Sequence, residues 1–184
     1  KPNTIYYVRG FVINRNGEYS YTEEKQFRTT GYFGPARGYV VYDKGETTDG
    51  WRYLETTSDL SIYNGKWGNT DKSVTETSSD LGKGLGNTER IVLSIPQGEC
   101  AARTCYNIIL NGFSDWFLPS TEELLIAMQS LKSINIYIKG RLWTSTERDR
   151  FNAYSIIYNE TSKVYEVSTG HKELNLGVMP FRRY

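Results

Sequence analysis

The stretch Leu110-Asn111-Gly112-Phe113-Ser114-Asp115-Trp116-Phe117-Leu118-Pro119-Ser120-Thr121-Glu122-Glu123-Leu124 changes character at its proline. Ahead of Pro119, Asp115 is placed to accept backbone N–H groups in a tight turn, and Trp116 and Leu118 are placed to bury apolar area. Pro119 restricts the approach to a helix that Ser120 caps, with Glu123 three residues on completing a capping box. Leu124, Leu125, Met128 and Leu131 then recur at helical spacing, which predicts a helix to about Lys132 with its apolar side inward. The motif is structural, and it says nothing directly about a ligand.

Upstream, Asn87 reads as the N-cap of an earlier helix, with Glu89 in its first turn, Ile91, Val92 and Ile95 on one side, and Pro96 ending it. Residues 56–86 are polar, carry glycine at 65, 68, 82, 84 and 86, and read as loop. Gly38 to Asp43 and Gly50 to Glu55 read as short strands around the turn-rich residues 44–49. Downstream, strands are expected at 142–145, 153–158, 163–167 and 178–184. Two helices between early and late antiparallel strands make an α+β domain over residues 32–184.

Residues 1–30 have a different texture. Ile5 to Ile13 is a β-branched and aromatic run, Asn16-Gly17 is a hairpin turn signal, and Tyr19 to Phe27 alternates. The segment from Pro2 to Val12 resembles the tyrosine-corner strand of fibronectin type III and other immunoglobulin-like sandwiches, with Tyr6 at the corner. Since a two-stranded hairpin is marginal alone, residues 1–30 either pack on the following domain as a dedicated N-terminal hairpin or, the reading preferred here, are the C-terminal hairpin of such a module. Lys1-Pro2-Asn3 shows no signal peptide, so the chain is expected to be a mature or excised piece.

The 184 residues carry 22 Lys+Arg against 21 Asp+Glu, a formal charge of +1 without long like-charge blocks, which excludes an electrostatic footprint for nucleic acid. Mean hydropathy is −0.55 and no apolar run reaches 18 residues, so no membrane insertion by this chain is expected. With 15 tyrosines, partners are expected to be found by shape and aromatic contact.

Gly38 to Gly45, Gly50 to Glu55 and the 110–124 block resemble the Lcl C-terminal domain family, DUF1566. So do Trp143-Thr144-Ser145-Thr146-Glu147, Asn152-Ala153-Tyr154 and Val178 to Tyr184, in family order. The resemblance implies a C-type-lectin-like fold over residues 32–184 and a place in bacterial surface or secreted proteins associated with adhesion, often behind immunoglobulin-like modules. Met179 stands where the family often has arginine.

Cys100 and Cys105 are expected to form a structural disulfide, with two separate buried thiols as the next reading and a catalytic or redox pair, which lacks a nearby base in sequence, as the last. In a continuous helix such positions are about 140° round and roughly 8 Å along, so a bridge requires a break in the helix. Asp43, Glu46 and Asp49 crowd one loop without the spacing of a calcium site and read as a solvated acidic loop, so neither metal nor cofactor is expected. Gly82-Lys83-Gly84-Leu85-Gly86-Asn87 lacks the phosphate-loop ending and reads as a lead into a helix. Ser120 and Ser145 have no triad, and His171 is the single histidine, so no catalytic residue is assigned.

Aromatic and polar side chains alternate over residues 141–184, the mixture that binding surfaces favour. The lectin-like resemblance implies that later strands and loops form the ligand face, which selects Arg148, Arg150, Asn152, Tyr154, Tyr158 and His171. The chain therefore reads as a non-catalytic extracellular binding domain, an adhesin for a host or matrix glycan or protein. The alternatives are a structural or assembly module of a surface appendage, which an exposed apolar patch would favour, and an enzyme of the formylglycine-generating kind.

Overall fold

The computed structural model describes residues 4–58, 63–69 and 73–184. In chain order the elements are β1 (Ile5–Val8), β2 (Phe11–Ile13), β3 (Tyr19–Tyr21), β4 (Lys25–Arg28), β5 (Tyr39–Thr48), β6 (Trp51–Thr56) and β7 (Tyr63–Gly65). They continue with α1 (Gly84–Ser94), α2 (Ala101–Asn107), α3 (Thr121–Ser133), β8 (Arg141–Glu147), β9 (Asn152–Asn159), β10 (Val164–His171), β11 (Leu176–Val178) and β12 (Phe181–Arg183). The fold is mixed α+β with mostly antiparallel sheets and, among the described residues, three helices, where two were expected. One sheet has the order β10-β9-β8-β11-β7, with β11 and β8 parallel, and a second has the order β12-β6-β5.

The 110–124 block is where these parts meet. Phe117 exchanges backbone hydrogen bonds with Phe181 at 2.7 and 2.9 Å, the Leu118 amide donates to Thr88 Oγ1 at 3.0 Å, and the Ser145 amide donates to Pro119 O at 2.7 Å. Successive side chains enter different cores. Phe117 packs with Leu54, Leu124, Met128, Leu131 and Phe181 under α3, and Leu118 packs with Trp67, Ile91 and Trp143 against α1 and α2. The capping box forms as expected, with Ser120 accepting from the Glu123 amide and Glu123 accepting from the Ser120 amide.

Asp115 behaves differently from the expectation. Instead of gathering turn amides, it makes a two-pronged ion pair with Arg182 at 2.9 and 3.0 Å, and Arg182 also donates to the buried Glu55 at 3.1 Å. Glu55 accepts from the Gly38 amide at 2.7 Å, and Phe113 lies 4.0 Å under the guanidinium. A Cβ at Gly34 would sit 2.5 Å from the Glu55 carboxyl carbon, so this glycine makes room for the buried anion. Met179 is fully buried in the core. Arg182, three residues on, is the cation that ties the closing strand to the block.

Helix α1 begins at Gly84, three residues before the expected start, and Asn87 lies inside it. A Cβ at Gly84 would stand 2.2 Å from Glu123 Oε2 and 2.8 Å from the Phe117 ring, so glycine here permits a close helix approach and cradles no phosphate. Asn87 is buried and ties Ser78 to Ser145 through its amide. The unforeseen helix is α2, seven residues long, with Ala101, Ala102 and Cys105 buried. Residues 44–49, expected as a turn, mostly continue β5 through irregular register to Thr48, and only Asp49 and Gly50 turn, both at positive φ. Within the segment read as loop, residues 59–62 and 70–72 lie outside the described residues, and β7 pairs with β11.

The N-terminal ribbon forms about Asn16-Gly17 as read, but in two paired pieces, β1 with β4 and β2 with β3. The join is at Gly10 and Thr22, where the Gly10 amide donates to Thr22 Oγ1 at 2.8 Å. Asn14 Oδ1 accepts from the Asn16 and Glu18 amides and closes the turn.

Candidate functional site

The six residues selected from the sequence do not form one face. Arg148, Asn152, Tyr154 and His171 gather where β8 turns into β9 and β10 ends, because the register pairs His171 with Asn152 and Thr169 with Tyr154. Arg148 donates to Thr169 Oγ1 at 3.0 Å. Arg150 lies in the intervening turn with its guanidinium 5.5 Å from the exposed Phe151 ring. Tyr158 is six residues farther along β9, about 20 Å away at strand rise. It is buried against Tyr165, ring centroids 5.0 Å apart, because α3 packs over that end of β9 and β10. The inclusion of Tyr158 in a ligand face is therefore corrected: it is a core residue.

Asn152 is occupied by its turn. Its amide donates to both oxygens of Asp149, whose Oδ1 also accepts from the Phe151 and Asn152 amides at 2.8 and 2.9 Å. The Phe151 amide, foremost, holds the Asp149 carboxyl below the ordinary carboxylate range. Tyr154 is half-buried. What this end presents is Arg148, Asp149, Arg150, Phe151 and His171, a small charged and aromatic tip suited to non-covalent contact.

Cys100 and Cys105 are both buried and free, so the expected disulfide is corrected to two separate thiols. Cys100 is the extended N-cap residue of α2, the helix runs unbroken from Ala101 through Cys105, and no break brings the sulfurs together. Burial pushes both thiols up, Cys105 much further, which suppresses the nucleophilic thiolate. The Ser120 hydroxyl donates to Asp80 O while capping α3, and Ser145 Oγ accepts from Asn87. In the acidic loop, Asp43 is taken up by Arg52 at 2.7 and 3.1 Å. Among the described residues no group of three or more His, Cys, Asp or Glu side chains could hold a metal ion. Among the described residues no helix is long and apolar enough to cross a membrane.

Among the described residues, exposed large apolar side chains concentrate in the ribbon. Tyr7, Val8, Phe11, Val12, Ile13 and Tyr19 are 53–68 % exposed, on both faces of a two-stranded ladder. Soluble surfaces rarely concentrate apolar side chains this way unless a partner covers them. The signal was present in the sequence: Ile5-Tyr6-Tyr7-Val8 is apolar at odd and even positions alike, which is how a strand covered on both faces reads.

No family model matches this chain. No match was found among curated proteins either. Among solved structures, the fold is similar to that of a fimbrial protein from Bacteroides ovatus ATCC 8483, with a TM-score of 0.55 at 15% sequence identity. The similarity covers 98% of this chain and 57% of that one, so this chain spans a little over half the length of the fimbrial protein. The uncovered 2% amounts to about four residues, so the ribbon and the α+β unit are both included in the shared fold.

Proposed function

We propose that this chain is a non-catalytic module of a bacterial surface appendage. In this reading residues 32–184 form a C-type-lectin-like domain of the Lcl C-terminal kind, and the ribbon of residues 4–28 is the closing strand pair of an immunoglobulin-like sandwich. The observation that carries it is the ribbon's apolar surface, open on both faces. A ribbon of this kind cannot hold itself together in water, so its natural cover is the rest of a sandwich. Two further points support the reading: the fold neighbour is a fimbrial protein, and the match extends through the ribbon into a unit that there belongs to a longer chain.

The test compares the chain with the Phe11→Ser/Val12→Thr variant. The wild type should bind the apolar dye ANS and self-associate with concentration in sedimentation, and the variant should do both less, with an unchanged melting transition for the α+β unit. A monodisperse, dye-silent wild type would refute the reading. An adhesin reading is favoured by one observation, the exposed tip of Arg148, Arg150, Phe151 and His171. It predicts a saturable hit on arrayed glycans or matrix proteins, resistant to EDTA and lost in an Arg148→Ala/Arg150→Ala variant, and a hit indifferent to those changes would exclude the tip.

A further inference from the structure

The β5–β6 turn curls over an open cleft of about 490 Å³ whose walls are Tyr42, Thr48, Trp51, Leu81 and Gly82. Three cations line it, Lys44, Lys83 and Arg183, against one carboxylate, Asp49. In a chain of net charge +1 this is a local concentration of positive charge and no part of a general basic coat. Two of the cations are held in place. Lys44 Nζ donates to Thr48 O at 2.6 Å and lies 4.2 Å over the Trp51 ring, with only 13% of its side chain exposed. Arg183 donates to Gly82 O at 2.8 Å and approaches the same ring from 5.9 Å. Lys83 is exposed at the start of α1 and makes no ion pair among the described residues. Asp49 stands at the rim, 91% exposed, 3.8 Å from Lys44.

We propose that this cleft binds the acidic group of an anionic saccharide, a carboxylate or sulfate carried on a sugar ring. Cations fixed in advance by backbone carbonyls lose little side-chain freedom when an anion arrives, which is the condition for useful affinity from a few charges. A bare inorganic anion would leave most of the space to water, whereas one sugar ring beside its acidic group fits the volume. The remaining lining is of a kind that suits such a ring: Thr48 and Tyr42 carry hydroxyls, and Tyr42 and Trp51 carry aromatic rings against which sugar C–H groups pack. The irregular register between Asp43 and Thr48 is what bends β5 over Trp51 and closes this side of the cleft.

The full chain is titrated with D-glucuronate, glucose 6-sulfate, glucose and an oligoglutamate peptide, following the backbone amide resonances of residues 42–52, 81–84 and 183. Both acidic sugars should give saturable shifts there that weaken with salt, and glucose should not. Lys83→Gln, a change at an exposed residue, should weaken binding about fivefold, and Lys83→Arg should restore it. Preference for the sulfated over the carboxylated sugar, or the reverse, identifies the acidic group. Equal response to glucose and glucuronate, shifts outside these segments, or indifference to Lys83→Gln would overturn the proposal. Tighter binding of the peptide than of either acidic sugar would overturn it in favour of an acidic polypeptide ligand.

Discussion

In the ribbon, Phe11 and Tyr19 are 59% and 61% exposed, whereas Trp116 and Phe117 in the 110–124 block are at most 1% exposed. Both regions are rich in aromatic residues, and what separates them is the number of elements that reach them. The block is bonded to β12, α1 and β8, and its side chains enter two cores. Among the described residues the ribbon strands pair only with each other; Thr4 and Thr29 tie the two ends of the ribbon together, and Thr30, just beyond it, accepts from Ser130 of α3. A closed unit and an open one thus share a chain, and the apolar residues of the open one lack the layers that would bury them.

The strongest way to test that contrast is to break the closed unit at its ion cluster. Arg182→Met leaves Glu55 buried without its cation and should cost about 3–5 kcal/mol in urea unfolding. A smaller effect is expected from Gly84→Ala, where the added methyl meets Glu123 and the Phe117 ring and overpacks the joint between α1 and α3, costing about 1–3 kcal/mol by the same measurement.

The capping carboxylate gives the closed unit a pH dependence. Burial lifts Glu123 to about 6 from an ordinary 4.5, in spite of the Ser120 and Gly82 amides that favour its charged form. Because the folded value lies above the unfolded one, this group's contribution is fully present below 4.5 and is lost as pH rises through about 6. Stability should therefore fall by about 2 kcal/mol across that window from this group alone, and Glu123→Gln should remove that part of the slope in unfolding curves at stepped pH. At the bottom of the scale, Val12→Thr in the ribbon should move the stability of the α+β unit by less than about 0.5 kcal/mol, as read from the same curves.

The sequence was most legible where structure is local. The capping box at Ser120 and Glu123, the apolar side of α3 and the Asn16-Gly17 turn each need only residues within a few positions of one another. Helix α2 escaped because Ala101 to Asn107 is too short to show an apolar period. Tyr158 was misassigned because β9 is covered on both faces: Ser155 and Ile156 are both buried, so alternation no longer separates inside from outside. The ion cluster and the cationic cleft join residues far apart in the chain, Arg182 with Glu55 over 127 positions and Arg183 with Gly82 over 101, and no spacing rule reaches that far.

Hydrogen exchange of the native chain, read by mass spectrometry segment by segment, decides whether the ribbon is open while the α+β unit is closed. Amides of residues 5–28 should exchange by local opening, orders of magnitude faster than those of residues 117–131, 142–147 and 152–158, which open only with global unfolding. Protection of the ribbon equal to that of α3 and β9 would contradict it, since the ribbon would then be a finished part of a closed fold.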